Sequence, residues 1–80
     1  MDTACPDCKR LFEAAREAIQ AHIRAEGNWK VSSLRRDEAS KVQQLRALHD
    51  TAAVARQDAL VAYRAHAATH ESAQEAGVTA

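Results

Sequence analysis

The fold that the sequence predicts depends on one stretch, residues 27–33, which read GNWKVSS. Gly27 closes a helical pattern and suits the left-handed position that commonly ends a helix. Asn28, Ser32 and Ser33 are all competent helix N-caps, and Ser32 or Ser33 is the favoured start of the next helix. The stretch is therefore predicted to hold the turn between two helices.

Both flanks of this stretch carry a helical pattern. Before it, apolar residues recur at three- and four-residue steps from Leu11 to Ile23. After it, no glycine or proline occurs between Leu34 and Ala76, and nearly every residue there tolerates a helix. The sequence predicts one domain over residues 1–80, with helix 1 at about 6–26, a turn at 27–32 and helix 2 at about 33–76.

The later half of helix 2 is apolar on two sides, which two architectures would explain. In a hairpin, a helix of about 40 residues spans some 60 Å, overhangs helix 1 and must pair with another chain. In a three-helix bundle, helix 2 breaks near Asp50 or Thr51, and one of them caps a third helix. Because no glycine or proline marks that break, we favour an all-α antiparallel helical hairpin with a long second helix.

Composition predicts how such a hairpin is stabilised. The 80 residues include 11 basic and 11 acidic side chains, so the formal net charge is zero, which disfavours nucleic-acid binding and an electrostatic membrane anchor. Much of the 46% hydrophobic content is alanine, which buries little area per residue. A monomer of this size would be marginally stable. We therefore expect a coiled-coil homodimer or higher oligomer, or a bound metal.

The N-terminal region shows no basic segment followed by an apolar run, so no signal peptide is predicted. No window approaches the apolar length of a membrane-spanning helix. With two cysteines and no export signal, the expected location is the reducing cytoplasm. A pair of nearby cysteines there is more often metal-binding or redox-active than a structural disulfide.

The two cysteines form the candidate chemical site. Pro6 suits the first position of a helix, which makes Cys5 the N-cap and places Cys8 in the first turn. Both sulfurs then lie at the positive end of the helix dipole, which favours the thiolate. Two thiolates at this spacing can share one metal ion or form a disulfide, and they supply half of a tetrahedral zinc site.

Histidines supply the candidate partners of this dithiol. With a turn at 27–32, position 8 lies level with about position 50, so His49 is expected beside Cys5 and Cys8. His66 and His70 are four residues apart on one helix face and can share a metal. The hairpin as predicted keeps them far from the dithiol, unless a dimer brings them to the partner's cysteines. His22 is predicted to be a core histidine, which would approach His66 only in the three-helix bundle.

The motif Cys5-Pro6-Asp7-Cys8 resembles the C-P-x-C of zinc hooks over four residues. That resemblance implies that two helical chains could each give two thiolates to one ion. No nucleophile–base pair, phosphate-binding loop or buried carboxylate pair can be identified, so catalysis is not expected. The sequence therefore predicts a small interaction or scaffold protein with an unidentified protein partner and a possible zinc site. The alternative is a thiol-redox or metal-handling protein that uses Cys5 and Cys8.

Overall fold

The chain folds into two helices packed against each other as a hairpin. The computed structural model describes the backbone of residues 5–79 and the side chains of residues 5–70. Helix α1 spans Pro6–Arg35 and helix α2 spans Ala39–Thr79, and the molecule measures 63 × 19 × 15 Å. The predicted all-α hairpin with a long second helix is confirmed. Helix α2 is continuous through residues 50 and 51, so the three-helix alternative is wrong.

The start of α1 follows the sequence prediction. Cys5 is the N-cap, with an extended backbone at φ −80° and ψ 115°, and Pro6 follows at the first helical position. The backbone N–H of Cys8 donates to Cys5 Sγ at 3.4 Å, so the sulfur takes the place that an oxygen usually has in an N-cap. Local sequence therefore fixes where the first thiol points.

The turn, in contrast, was wrongly predicted. Gly27 lies inside α1, which continues to Arg35, and α2 begins at Ala39 rather than near residue 33. Arg36 adopts the left-handed conformation, with φ 60° and ψ 44°. Its N–H donates to the carbonyl oxygen of Ser33, and the N–H of Asp37 donates to that of Ser32, both at 3.1 Å. These two hydrogen bonds form a Schellman motif, which ends α1 without a glycine.

Helix α1 passes through Gly27 because the added turns gain packing. A glycine inside a helix costs about 1 kcal/mol relative to alanine. The added turns offset that cost with two contacts. The ring centroids of Trp29 and His49 lie 5.0 Å apart, and Ser32 is buried, at 3% exposure. The Ser32 hydroxyl also donates to Asp37 Oδ2 at 2.7 Å. The helix therefore continues to Arg35, eight residues beyond Gly27.

The helices meet along a seam whose residues alternate between three and four positions apart, the repeat of a coiled coil. Every seam residue is buried or half-buried. On α1 they are Cys8, Leu11, Ala15, Ala18, His22, Ala25, Trp29 and Ser32; on α2 they are Val42, Leu45, His49, Ala52, Arg56, Ala59, Tyr63 and His66. Small and polar residues dominate this seam, so it buries little apolar area.

Little of the chain is fully buried, and large apolar side chains lie outside the seam. Among residues 5–70, only Ala15 and Ser32 are buried, at 4% and 3% exposure. Phe12 is 51% exposed, Ile23 60% and Val61 52%. Within the part of the chain that the structure describes, neither helix has an apolar stretch long enough to cross a membrane.

Candidate metal centre

The position of the turn decides which residues of the two helices lie at the same level. Residues equally far from Asp37 on either side face each other: Cys8 is 29 residues before it and His66 is 29 residues after it. The predicted turn was about eight residues too early, which placed Cys8 level with residue 50. The prediction that His49 lies beside the dithiol is therefore wrong, and His66 with His70 occupies that place instead.

Cys5, Cys8, His66 and His70 converge at the open end of the hairpin. One ligand atom of each residue lies within 4.8 Å of the others. Cys5 Sγ is 3.3 Å from His66 Nε2, and the Nε2 atoms of His66 and His70 are 3.2 Å apart. Tetrahedral zinc holds two imidazole nitrogens about 3.3 Å apart, and a thiolate and an imidazole about 3.5 Å apart. The four residues of one chain are thus arranged compatibly with a single metal ion, without the second chain that the sequence prediction required.

The pKa values of the two thiols in this group shift in opposite directions. A hydrogen bond with His66, followed by the Cys8 backbone N–H, lowers the pKa of Cys5 from 9.0 to about 6, while desolvation opposes this shift. Desolvation and the neighbouring Cys5 raise the pKa of Cys8 above its ordinary value. The lowered pKa of Cys5 favours its thiolate form. A thiolate is the form that binds a metal and that attacks a disulfide.

Packing next to the group fixes the two helix segments that carry it. The rings of Phe12 and Tyr63 meet edge to face, with centroids 5.9 Å apart, about one helical turn from the sulfurs. The Thr69 hydroxyl donates to the carbonyl oxygen of His66 at 2.6 Å. The His66 and His70 rings are themselves 4.9 Å apart and close to perpendicular, at 70°. Of the contacts of this group, the one that joins a His66 ring atom to the start of α1 is that with Cys5 Sγ, at 3.3 Å.

His49 lies instead in a second group, nearer the turn. Its Nε2 atom is 3.2 Å from the Nε2 atom of His22. A carboxylate oxygen of Glu26 lies within 4.8 Å of a ring nitrogen of each histidine. A hydrogen bond from Lys30 and its charge hold the pKa of Glu26 below the ordinary value. The sequence prediction overlooked Glu26, although its four-residue spacing from His22 places the two side chains on one helix face. His22 approaches His49 rather than His66.

Comparisons of the chain with protein-family models, with curated proteins and with solved structures found no match.

Proposed function

We propose that this chain is a non-catalytic helical interaction module whose hairpin is closed by zinc bound to Cys5, Cys8, His66 and His70. The observation that carries the proposal is the convergence of two thiols and two imidazoles, from the start of one helix and the far part of the other, within 4.8 Å. Two sulfur and two nitrogen ligands in a tetrahedron are typical of structural zinc. Such a site leaves no coordination position for a substrate.

The zinc would join two parts of the chain that are distant in sequence. Cys5 and His66 are 61 residues apart, and in the metal-free chain a 3.3 Å hydrogen-bond contact between Cys5 Sγ and His66 Nε2 and the packing of Phe12 on Tyr63 join the helices near the open end of the hairpin. Because the ion binds the folded chain preferentially, its binding free energy adds to the folding stability. A reducing compartment such as the cytoplasm would keep both thiols available as ligands.

The test uses untagged protein purified without a chelator. Native mass spectrometry is expected to find bound zinc, and replacement by Co²⁺ is expected to give a thiolate-to-cobalt charge-transfer band. Cys8→Ser should weaken that band and lower the melting temperature. His49→Gln, which removes an imidazole outside this site, is the matched control and should keep the band. A chain that shows no thiolate-bound metal, and melts unchanged after Cys5→Ser with Cys8→Ser, would contradict the proposal.

The interaction surface that we propose lies on one side of the hairpin and binds a second copy of the chain. Phe12 and Ile19 directly follow seam residues on α1, and Ala53 and Leu60 directly follow seam residues on α2. In an antiparallel pair, these positions share one side. We call these four residues the apolar flank.

The exposed area of the chain supports a dimer. The chain exposes 6073 Å², whereas a compact protein of this mass exposes about 4,700 Å². A standard interface removes about 800 Å² per partner, which accounts for much of the difference. Zero formal net charge means that two copies are not driven apart by overall charge.

Sedimentation at tens of micromolar is the direct measurement of this association. We expect a dimer, and we expect Phe12→Ser with Leu60→Ser to weaken it. Leu34→Ser is the matched control, because Leu34 is 83% exposed but lies near the turn and outside the apolar flank. A single species near 8.7 kDa in the parent protein would refute the dimer.

A second candidate function is thiol–disulfide exchange, favoured by two free cysteines at the start of α1. In this reaction, the Cys5 thiolate would attack a disulfide of a substrate and release one substrate thiolate. The Cys8 thiolate would then displace the second, leaving a Cys5–Cys8 disulfide that a dithiol donor reduces. Metal-free Cys8→Ser protein should then accumulate a mixed disulfide, whereas a purely structural site would not.

A further inference from the structure

We call the group formed by Cys5, Cys8, His66 and His70 the first centre. A second group of potential metal ligands lies between the first centre and the turn. His22 and Glu26 are one helical turn apart on α1, and His49 reaches them from α2. The ligand atoms of the three residues lie within 4.8 Å of one another, and all three residues are half-buried. The 3.2 Å between the two Nε2 atoms is close to the separation of about 3.3 Å between two imidazole nitrogens on one tetrahedral ion.

We propose that His22, Glu26 and His49 form a second site, which binds a divalent transition-metal ion independently of the cysteines. Two imidazoles and one carboxylate are a recurring ligand set for zinc and for ferrous iron with open coordination positions. Three protein ligands leave at least one position of a tetrahedral ion for water or an external ligand. The absence of sulfur from this set makes the site chemically distinguishable from the first centre.

The surroundings of His49 suit a metal ligand. Its Nδ1 atom is 3.1 Å from Asp50 Oδ1, so Nδ1 carries the proton and the Nε2 lone pair faces His22 and Glu26. A carboxylate on the distal nitrogen of a metal-binding histidine fixes its tautomer and raises its basicity. The centroid of the Trp29 ring lies 5.0 Å from that of the His49 imidazole, and this contact restricts the rotation of the imidazole.

Arg56 holds the metal-free arrangement together. Its Nη1 atom is 3.2 Å from His22 Nδ1, and because a guanidinium can only donate, Nδ1 must accept. His22 then carries its proton on Nε2 and donates to His49 Nε2. The result is a hydrogen-bond chain from Arg56 through His22 and His49 to Asp50, in which every donor meets an acceptor.

Metal binding at this site competes with that chain. When an ion takes the place of the proton on His22 Nε2, that proton would pass to solvent and Nδ1 would take one up from solvent. The neutral imidazole would then carry Nδ1–H, which faces a second donor, the Arg56 guanidinium. Arg56 must therefore turn away when the metal binds. Glu26 Oε2 forms an ion pair with Lys30 Nζ at 3.0 Å, so the other carboxylate oxygen of Glu26 can bind the ion without breaking that pair. Arg56 is thus a positioning residue that lowers the affinity of the site.

This competition gives the site a specific test. In Arg56→Gln, the amide oxygen can accept from Nδ1–H, so Co²⁺ affinity should rise about tenfold, the equivalent of one hydrogen bond of about 1.4 kcal/mol. Arg56→Lys is the matched control, because an ammonium also only donates and should give no such gain. The readout is the Co²⁺ absorption that lacks a thiolate charge-transfer band, measured in protein whose first centre is already loaded with zinc.

Stoichiometry separates this site from the proposed function. We expect two ions per chain in the parent. The double variant Cys5→Ser/Cys8→Ser should keep one ion without sulfur ligands, and the double variant His22→Gln/His49→Gln should keep one thiolate-bound ion. Circular dichroism establishes that each variant is helical, and Glu26→Gln provides a milder change that should weaken only the sulfur-free ion. The inference is overturned if the parent binds no sulfur-free ion, or if that ion binds equally well after both histidines are replaced. Either result leaves the thiolate-bound zinc unaffected.

Discussion

In the zinc-bound form that we propose, removing the metal from Cys5, Cys8, His66 and His70 is expected to destabilise the hairpin from its open end. The ion would link two residues that are 61 positions apart in the sequence. Closing a loop of this length removes about 4 kcal/mol of chain entropy from the unfolded state. At about 4–8 °C per kcal/mol for a domain of this size, the melting temperature should fall by about 15–30 °C when the metal is removed.

The assay compares zinc-loaded and chelator-treated protein by thermal circular dichroism. Both samples must have the same protein concentration, because self-association also stabilises the folded chain. Amide hydrogen exchange then locates the loss. Residues 8–18 and 56–66 should lose protection first, while residues 29–45, around the turn, should keep it.

Two results would refute this reasoning. One is an unchanged melting temperature after zinc has demonstrably been removed, because a link across the open end must add stability. The other is a loss of protection concentrated around residues 29–45, which would mean that the metal acts near the turn. Restoring zinc should reverse the change in the parent but not in Cys8→Ser.

Three further predictions follow from the helices and the turn. Gly27→Ala should stabilise the protein by about 1 kcal/mol in a denaturation series, because the added Cβ meets no atom within 4 Å and the helix gains a better former. Arg36→Gly should stabilise it by about 0.5–1 kcal/mol, since the left-handed conformation strains every residue with a Cβ; Arg36→Ala should show no such gain. A hydrogen bond from the Ser32 hydroxyl, followed by the interaction with Lys41, lowers the pKa of Asp37 from 3.8. The Asp37 carboxylate therefore stabilises the folded chain fully above that unfolded-state value. This stabilisation is lost as the pH falls through the lower pKa of the folded state. Urea denaturation at a series of acidic pH values should show this loss in the parent and not in Asp37→Asn.

Helical periodicity and end signals were sufficient to predict the hairpin and the start of α1. Pro6 has the conformational preference that the first helical position requires, and no glycine or proline occurs between Leu34 and Ala76. The turn could not be predicted in the same way, because its left-handed residue is Arg36, which carries no glycine signal. Gly27 signalled a helix end, but the structure has it inside α1. The packing of Trp29 on His49 of α2, together with the burial of Ser32 and its hydrogen bond to Asp37, favours the observed turn.

The error in the turn also determined the error in the site. The residue types were predicted: the four residues of the first centre and His49 were all candidate ligands. Their grouping was not, because a shift of the turn by eight residues moves the facing position by sixteen. The regular seam repeat, traced from Cys8 to Ser32 and from Val42 to His66, was the sequence signal that could have fixed the register. Many seam positions hold alanine or histidine, so a search for large apolar residues does not detect the repeat.

The large sequence separation within the first centre also orders its assembly during protein synthesis. A ribosome adds Cys5 and Cys8 first, and about sixty further residues must follow before His66 is joined to the growing chain. The dithiol therefore emerges from the exit tunnel well before either distal imidazole. The His22, Glu26 and His49 group is completed earlier, once residue 49 has emerged. A metal ion that arrives early in translation would thus meet only the two thiols. All four ligands would be available only after His70 has emerged.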